Sequence, residues 1–311
     1  MSRVAWLCSG AVVLALLAGA PALARDRAAP ASSVTAGAQR QDGLLPVYVD
    51  QARGGILLSL PAPDADGVSG RFLYLTALRT CLGSAPVGLD RAAIGETQVL
   101  VFRRIGRKVI AEYENPRFRA AGAPATEQTA AREAFATSTV WAGEVAETQA
   151  DGRILVDIAS FLTRDVMGAA DALKTADEKG YKLVPDLSVA DPSAVKVFPQ
   201  NLEFEARQTY QSDTPGPESR NIAPDAKLIT LQVRHSLVKL PEPGYETRRF
   251  DPRAGVFGGV VLDYAAPLGA EIVGQMAYRF RLEKTDPTAA SSPVKKPIVF
   301  YVDRAAPEPI R

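Results

Sequence analysis

The chain has 311 residues, of which 47% are hydrophobic, 23% charged and 7% aromatic, the profile of a globular protein and not of a disordered or fibrous one. Its 36 Lys and Arg against 35 Asp and Glu leave a formal net charge of +1, so no global basic field exists to hold nucleic acid by phosphate neutralisation. The one histidine, His235, excludes a zinc site built from two or three imidazoles and an H-E-x-x-H protease helix.

Residues 1–24 read as a secretory signal peptide. Arg3 supplies the positive start, Val4 to Ala20 is almost continuously apolar, and Ala22-Leu23-Ala24 is a small-residue cleavage end. The apolar run of 17 residues is at the lower limit for a membrane anchor, the alternative reading. Cleavage after Ala24 predicts a periplasmic or secreted protein with no membrane span in the mature chain. Cys8 leaves with the signal and lies too early for a lipid-modified N-terminus, so Cys81 keeps no intrachain partner for a disulfide. Residues 25–42, rich in Ala, Ser, Arg and Gln without a period, read as a flexible leader.

From Gly43 to Asp303 the pattern is β-rich. Leu45–Asp50 and Ile56–Leu60 flank Ala52-Arg-Gly-Gly55 as a hairpin, and Arg71–Leu78 is the next strand. Val99–Arg104 and Val109–Glu114 form a second hairpin around Gly106, and Val140–Val145 with Ile154–Ile158 a third around Asp151-Gly152. Thr126 is a candidate cap for a helix over Glu127–Ala136, and Ser160 for one over Phe161–Ala176, stopped by Gly180. In the second half, Leu202, Phe204, Ala206 and Tyr210 alternate with Glu203, Glu205 and Arg207. Met276, Tyr278, Phe280 and Leu282 alternate likewise within Gln275–Lys284. Such alternation calls for one dry and one wet face, the mark of antiparallel sheets. Leu228–Leu240, Val256–Tyr264 and Pro297–Val302 complete the predicted strands, and proline-rich Gln211–Asp225 is a predicted loop. The fold class is therefore α+β, mainly antiparallel β, with hairpin-rich sheets and two or three inserted helices. It forms one packed unit or two halves meeting near residue 195. Residues 304–311, with two prolines, read as a linker stub or a fraying end.

No phosphate-binding loop, dinucleotide fingerprint or nucleophile elbow occurs. S-x-x-K occurs three times, at Ser193, Ser236 and Ser292, in a strand or among prolines and without companion motifs, so no serine–lysine catalyst is expected. His235 shares an alternating face with Ile229, Leu231, Val233 and Leu237. It is a candidate general base or lone metal ligand, against a buried imidazole hydrogen-bonded to backbone or carboxylate, which the apolar face favours. Cys81, beside Arg79, reads as a small half-buried residue rather than a reactive thiol. Glu203 and Glu205 read as solvated surface rather than a glycosidase pair. Arg249, Asp251 and Arg253, in Arg248-Arg-Phe-Asp-Pro-Arg253, are candidate contacts to a substrate or partner carboxylate, with a salt-bridged turn as the plainer reading. The cationic turn Arg103-Arg104 to Arg107-Lys108 reads as a solvated hairpin tip.

Several blocks carry a resemblance. They are Gly43–Asp50, Gly88–Arg91 with Gly95-Glu96, Asn115–Arg119, Ile154–Ile158, His235–Pro241, Arg249–Arg253, Arg281–Lys284 and Lys296–Asp303 leading to Pro307–Arg311. In this order they resemble the domain of unknown function that precedes the catalytic domain in bacterial exported zinc-dependent metalloproteases. The resemblance implies a non-catalytic front region of a protease whose zinc helix belongs to a catalytic domain absent from this chain, in cis or from a split reading frame. Zinc is implied only for that domain, and this chain is expected to carry no catalytic residue, cofactor site or metal site. Two functions follow as expectations: an accessory region packing on or positioning a metalloprotease domain, or a stand-alone periplasmic peptide- or glycan-binding module. An enzyme built on His235 is a third.

Overall fold

A computed structural model describes residues 34–303 and 305–310; the expected signal peptide lies outside the described residues. Its strands are β1 (Gln39–Gln41), β2 (Val47–Asp50), β3 (Gly55–Leu60), β4 (Val68–Leu78), β5 (Gln98–Ile105), β6 (Lys108–Glu114), β7 (Phe118–Arg119), β8 (Ser138–Thr148) and β9 (Ile154–Asp157). They continue with β10 (Lys182–Leu183), β11 (Val189–Ala190), β12 (Lys196–Val197), β13 (Asn201–Gln211), β14 (Leu228–Lys239), β15 (Gly258–Asp263) and β16 (Val273–Ala277). The helices are α1 (Ala125–Glu133), α2 (Ala159–Leu162), α3 (Ala169–Thr175) and α4 (Pro217–Ile222). No helix among the described residues is long and apolar enough to cross a membrane.

One antiparallel sheet runs in the order β1-β2-β3-β9-β8-β6-β5-β4-β14-β13, with β10, β11 and β12 each pairing along β13. Its two ends approach where the Leu44 N–H donates to the Phe198 carbonyl at 2.8 Å, so the sheet nearly closes on itself like a barrel. The three expected hairpins are present as β2–β3, β5–β6 and β8–β9. The alternation read in β13 and β14 faces inward as expected, with Leu202, Phe204, Ala206, Tyr210, Ile229, Leu231, Val233, His235 and Leu237 all buried. The mainly antiparallel α+β class therefore stands. β1 falls inside the segment read as leader, because Gln39–Gln41 completes a ladder on β2.

The barrel interior is filled by a plug rather than by strands alone. Phe161 and Leu162 of α2 are buried among inward-facing residues of the sheet. The Phe161 ring lies 5.4 Å from Tyr74, 5.9 Å from Phe102 and 5.8 Å from Trp141, centroid to centroid. Full burial of such a side chain contributes about 1.5–3 kcal/mol. A second apolar cluster gathers under α3, where Ala169 and Leu173 meet Leu78, Tyr210, Ile229 and Leu231.

Several expectations are corrected. The helix expected over Phe161–Ala176 is two helices. Asp157, not Ser160, accepts the Ala159 N–H at 2.8 Å, while the Ser160 hydroxyl accepts from Trp141 Nε1 at 2.9 Å. Gly168 then takes a left-handed φ of 63°, and Asp165 captures the N–H groups of Ala169 and Ala170, restarting the helix in a new direction. α1 begins after Pro124, whose ring suits a helix start, and leaves Thr126 inside it without a capping hydrogen bond. The expected loop Gln211–Asp225 contains α4. Glu203 is buried, held by Arg234 at 2.7 Å and by the Ser236 hydroxyl at 2.6 Å. Cys81 is exposed.

The largest departure lies near the C-terminal end. β15 and β16 form a small sheet with β7, antiparallel on one side and parallel on the other. The strand expected over Gln275–Lys284 stops at Ala277, and Pro297–Val302 is not a strand. The free edge of β16 is already occupied. Arg248 O accepts from the Ala277 N–H at 2.9 Å, and Phe250 N donates to Gln275 O at 2.8 Å. Tyr245 Oη caps the Arg279 carbonyl at 3.1 Å, and the Arg281 guanidinium donates to the carbonyls of Glu242 and Pro243. Local β propensity thus loses to a strap of residues 242–250 that takes the same backbone groups.

Candidate functional site

His235 lies in register between Phe204 of β13 and Thr76 of β4, on the dry face of the sheet. Its ring is fully buried and stacks at 6.0 Å on Tyr74. Tyr74 Oη accepts from Arg164 Nη2 at 3.4 Å, which leaves its own hydrogen for His235 Nδ1, 2.7 Å away. Burial, helped by the Arg164 charge, lowers the His235 pKa to about 3, so the ring is neutral at physiological pH. Desolvation conversely raises the Tyr74 pKa and keeps the phenol protonated as the donor. The imidazole therefore takes a tyrosine hydroxyl as partner, with the Leu162 backbone also interacting with it, and not a carboxylate. Arg164 also donates to the Phe161 carbonyl and lies 4.2 Å over the Phe161 ring. Together these contacts pin the turn between α2 and α3 onto the sheet.

Arg249, Asp251 and Arg253 lie elsewhere, on the strap and the turn after it. Arg249 bridges Met276 through the backbone. Arg253 grips Asp251 through two bonds of 3.0 and 2.7 Å, which lowers the Asp251 pKa and raises that of Arg253. Asp251 also accepts the Arg253 N–H at 2.9 Å. This is a salt-bridged surface turn whose guanidinium already holds a carboxylate. A fully buried His235 and an Arg253 side chain 88% exposed do not share a site.

Two features that no motif marks are more prominent. The first is a groove of about 1030 Å³ between the outer face of β4–β6 and the layer formed by α1 and β7. Its floor carries the ion pairs Arg71–Glu114 at 2.9 Å and Arg103–Glu112 at 3.1 Å. Its wall carries Phe118 and Phe135, stacked at 3.9 Å, with Arg119 and Arg132. Arg119 Nε is 3.6 Å from Asp263 Oδ2 and makes no hydrogen bond, while Asp263 Oδ1 accepts the N–H groups of Ala121 and Ala265. The block Asn115–Arg119 was the visible signal for this groove, since all five residues border it or lead into it.

The second feature is apolar. Phe257, Tyr278, Phe280, Leu282 and the run Ile298–Val302 are exposed, with Phe300 at 85% and Tyr301 at 93%. Scattered exposed apolar residues are ordinary, but so many exposed aromatic and branched side chains in one stretch of chain are not. The alternation over 275–284, which predicts one dry sheet face, is its sequence signal.

The model of a family described as Domain of unknown function (DUF5117) matches residues 93–285, more than half of the chain. The chain belongs to this family. No curated protein and no solved structure matches it. The DUF5117 match spans most of the groove lining, though not Asp66 and Arg71, together with the α2–α3 plug and β13 to β16, and it begins after β4. Yet β4 sits between β5 and β14 in the sheet, so the DUF5117 segment relies on a strand outside its matched range to join its two halves.

Proposed function

We propose that the chain is the non-catalytic accessory region of a secreted zinc-dependent metalloprotease and that it packs on or positions the protease domain. The observation that carries this reading is the exposure of many apolar side chains between residues 257 and 302, which a partner domain would remove from water. The resemblance carried by the blocks from Gly43 to Arg311 supports a zinc metalloprotease domain as that partner, and the Ala22–Ala24 cleavage pattern supports export to the periplasm or beyond. The test is co-expression with a zinc metalloprotease domain of the resembled family. Co-purification, weakened by Phe300→Asp with Tyr301→Asp, supports the reading. Failure to co-purify, together with protease activity unchanged by omitting this chain, ends it. Mass spectrometry of the exported protein checks the address separately: an N-terminus at Arg25 is expected, and an intact Met1 counts against export.

The groove beside α1 favours a second reading, a stand-alone binding module for peptide or glycan. Its size is that of a ligand cleft, and its mixed floor of arginine–glutamate pairs below stacked aromatics can meet both polar backbone and flat rings. Isothermal titration with a mixed peptide pool, and with oligosaccharides, separates the two readings. Binding lost in Phe118→Ala at unchanged stability supports the module, and no detectable heat argues for the accessory role.

A further inference from the structure

We infer that the segment Pro297–Asp303 is an alternative strand for the edge of β16, now held by the strap of residues 242–250. A hairpin nucleus already exists. Lys284 and Val294 form an antiparallel bridge, Thr285 N donates to Pro293 O at 2.9 Å, and Lys295 N donates to Glu283 O at 2.9 Å. An antiparallel ladder alternates hydrogen-bonded and non-hydrogen-bonded pairs, so these contacts dictate the register of every pair beyond them. Continued toward β16, that register sets Leu282 opposite Lys296, Phe280 opposite Ile298, Tyr278 opposite Phe300 and Met276 opposite Val302. Met276, Tyr278, Phe280 and Leu282 then share one face with Ile298, Phe300 and Val302, as cross-strand pairs favour, while Val299 and Tyr301 take the other face.

The same register names what keeps the ladder open. The next hydrogen-bonded pair is Arg281 with Pro297, and proline has no N–H to give. The pair after it needs the Arg279 carbonyl, which Tyr245 Oη occupies at 3.1 Å. The third needs the Ala277 N–H, which Arg248 O accepts at 2.9 Å. Strap and arm therefore compete for identical backbone groups on one edge, and the arm, with Ile298 to Val302 all exposed, is the occupant displaced. Release of the strap closes the arm, lengthens β16 into the segment whose alternation the sequence displays, and gathers Tyr278, Phe280 and Phe300 into a single stripe.

The experiment uses the full chain with Cys8→Ser and Cys81→Ser and measures disulfide formation in a glutathione buffer. Tyr278→Cys with Phe300→Cys places two thiols at a directly opposed, non-hydrogen-bonded pair. Tyr278→Cys with Val299→Cys places them one residue out of register, on opposite faces. The first pair is expected to close about tenfold faster than the second, since only opposed side chains meet disulfide geometry. Adding Tyr245→Phe, which frees the Arg279 carbonyl, is expected to speed the first pair further and to slow amide exchange at Val299 and Tyr301. Equal rates for the two pairs, or no response to Tyr245→Phe in either readout, overturns the inference.

Discussion

The carboxylate of Glu178 caps the first turn of α4 from a point 38 residues upstream, and Gly216 leaves the space it needs. Glu178 is fully buried and accepts the N–H groups of Gly216 at 2.9 Å, Glu218 at 2.8 Å and Ser219 at 3.3 Å. A Cβ on Gly216 would collide with Glu178 Oε1. Three donors at a helix start, which would otherwise lack partners, are thus satisfied by one side chain from the end of α3.

Glu178→Ala should therefore destabilise the protein by about 2–4 kcal/mol, because it strands buried amides as well as removing bonds. Gly216→Ala should act in the same direction, by forcing the carboxylate away. Urea unfolding monitored by tryptophan fluorescence measures both. A change within about 0.5 kcal/mol, the range of inert surface substitutions, would show that the cap contributes nothing.

Phe161→Ala removes the ring that touches Tyr74, Phe102 and Trp141 at once. The sheet cannot collapse onto the space without breaking ladders, so the loss should be about 3–5 kcal/mol. Phe161→Leu, which keeps most of the volume, should cost markedly less. Equal losses for the two variants would indicate that α2 does not fill the barrel.

The neutral state of His235 makes stability depend on acid. Its folded pKa, about 3, lies below the 6.5 of an exposed imidazole, so the unfolded chain takes up a proton that the folded chain refuses. The stabilisation is complete above pH 6.5 and is lost as pH falls from 6.5 toward 3, at up to roughly 1.4 kcal/mol per pH unit from this group. His235→Gln should shallow the pH dependence of unfolding free energy across that window while lowering stability at pH 7. Parallel curves for the two proteins would show that the imidazole is solvated.

The exposed aromatics should declare themselves in the isolated chain. Phe300→Ser with Tyr301→Ser should reduce binding of a hydrophobic dye and light scattering at high concentration, with stability changed by no more than about 0.5 kcal/mol. Unchanged dye binding would mean that the surface is already covered in solution.

The groove, the cap of α4 and the strap share one cause: each depends on groups distant in sequence. Arg119 meets Asp263, Glu178 meets Gly216, and Tyr245 meets Arg279 only after the chain has folded. A local pattern holds no record of such meetings, which is why Glu203 read as surface and 275–284 as a full strand. His235 was legible in part. Its burial followed from four apolar neighbours in period two, but its tyrosine partner lies on β4, 161 residues away.

By itself the amino-acid order determined the antiparallel hairpins, the inward face of β13 and β14, and the single imidazole that excludes a zinc site of two or three histidines. Those follow from side-chain period, turn residues and counts, all of them local properties. Tertiary structure alone decided where β16 stops, which carboxylates are buried and where a groove opens. Backbone donors and acceptors are few at any edge, and which segment takes them is settled by competition across the whole fold.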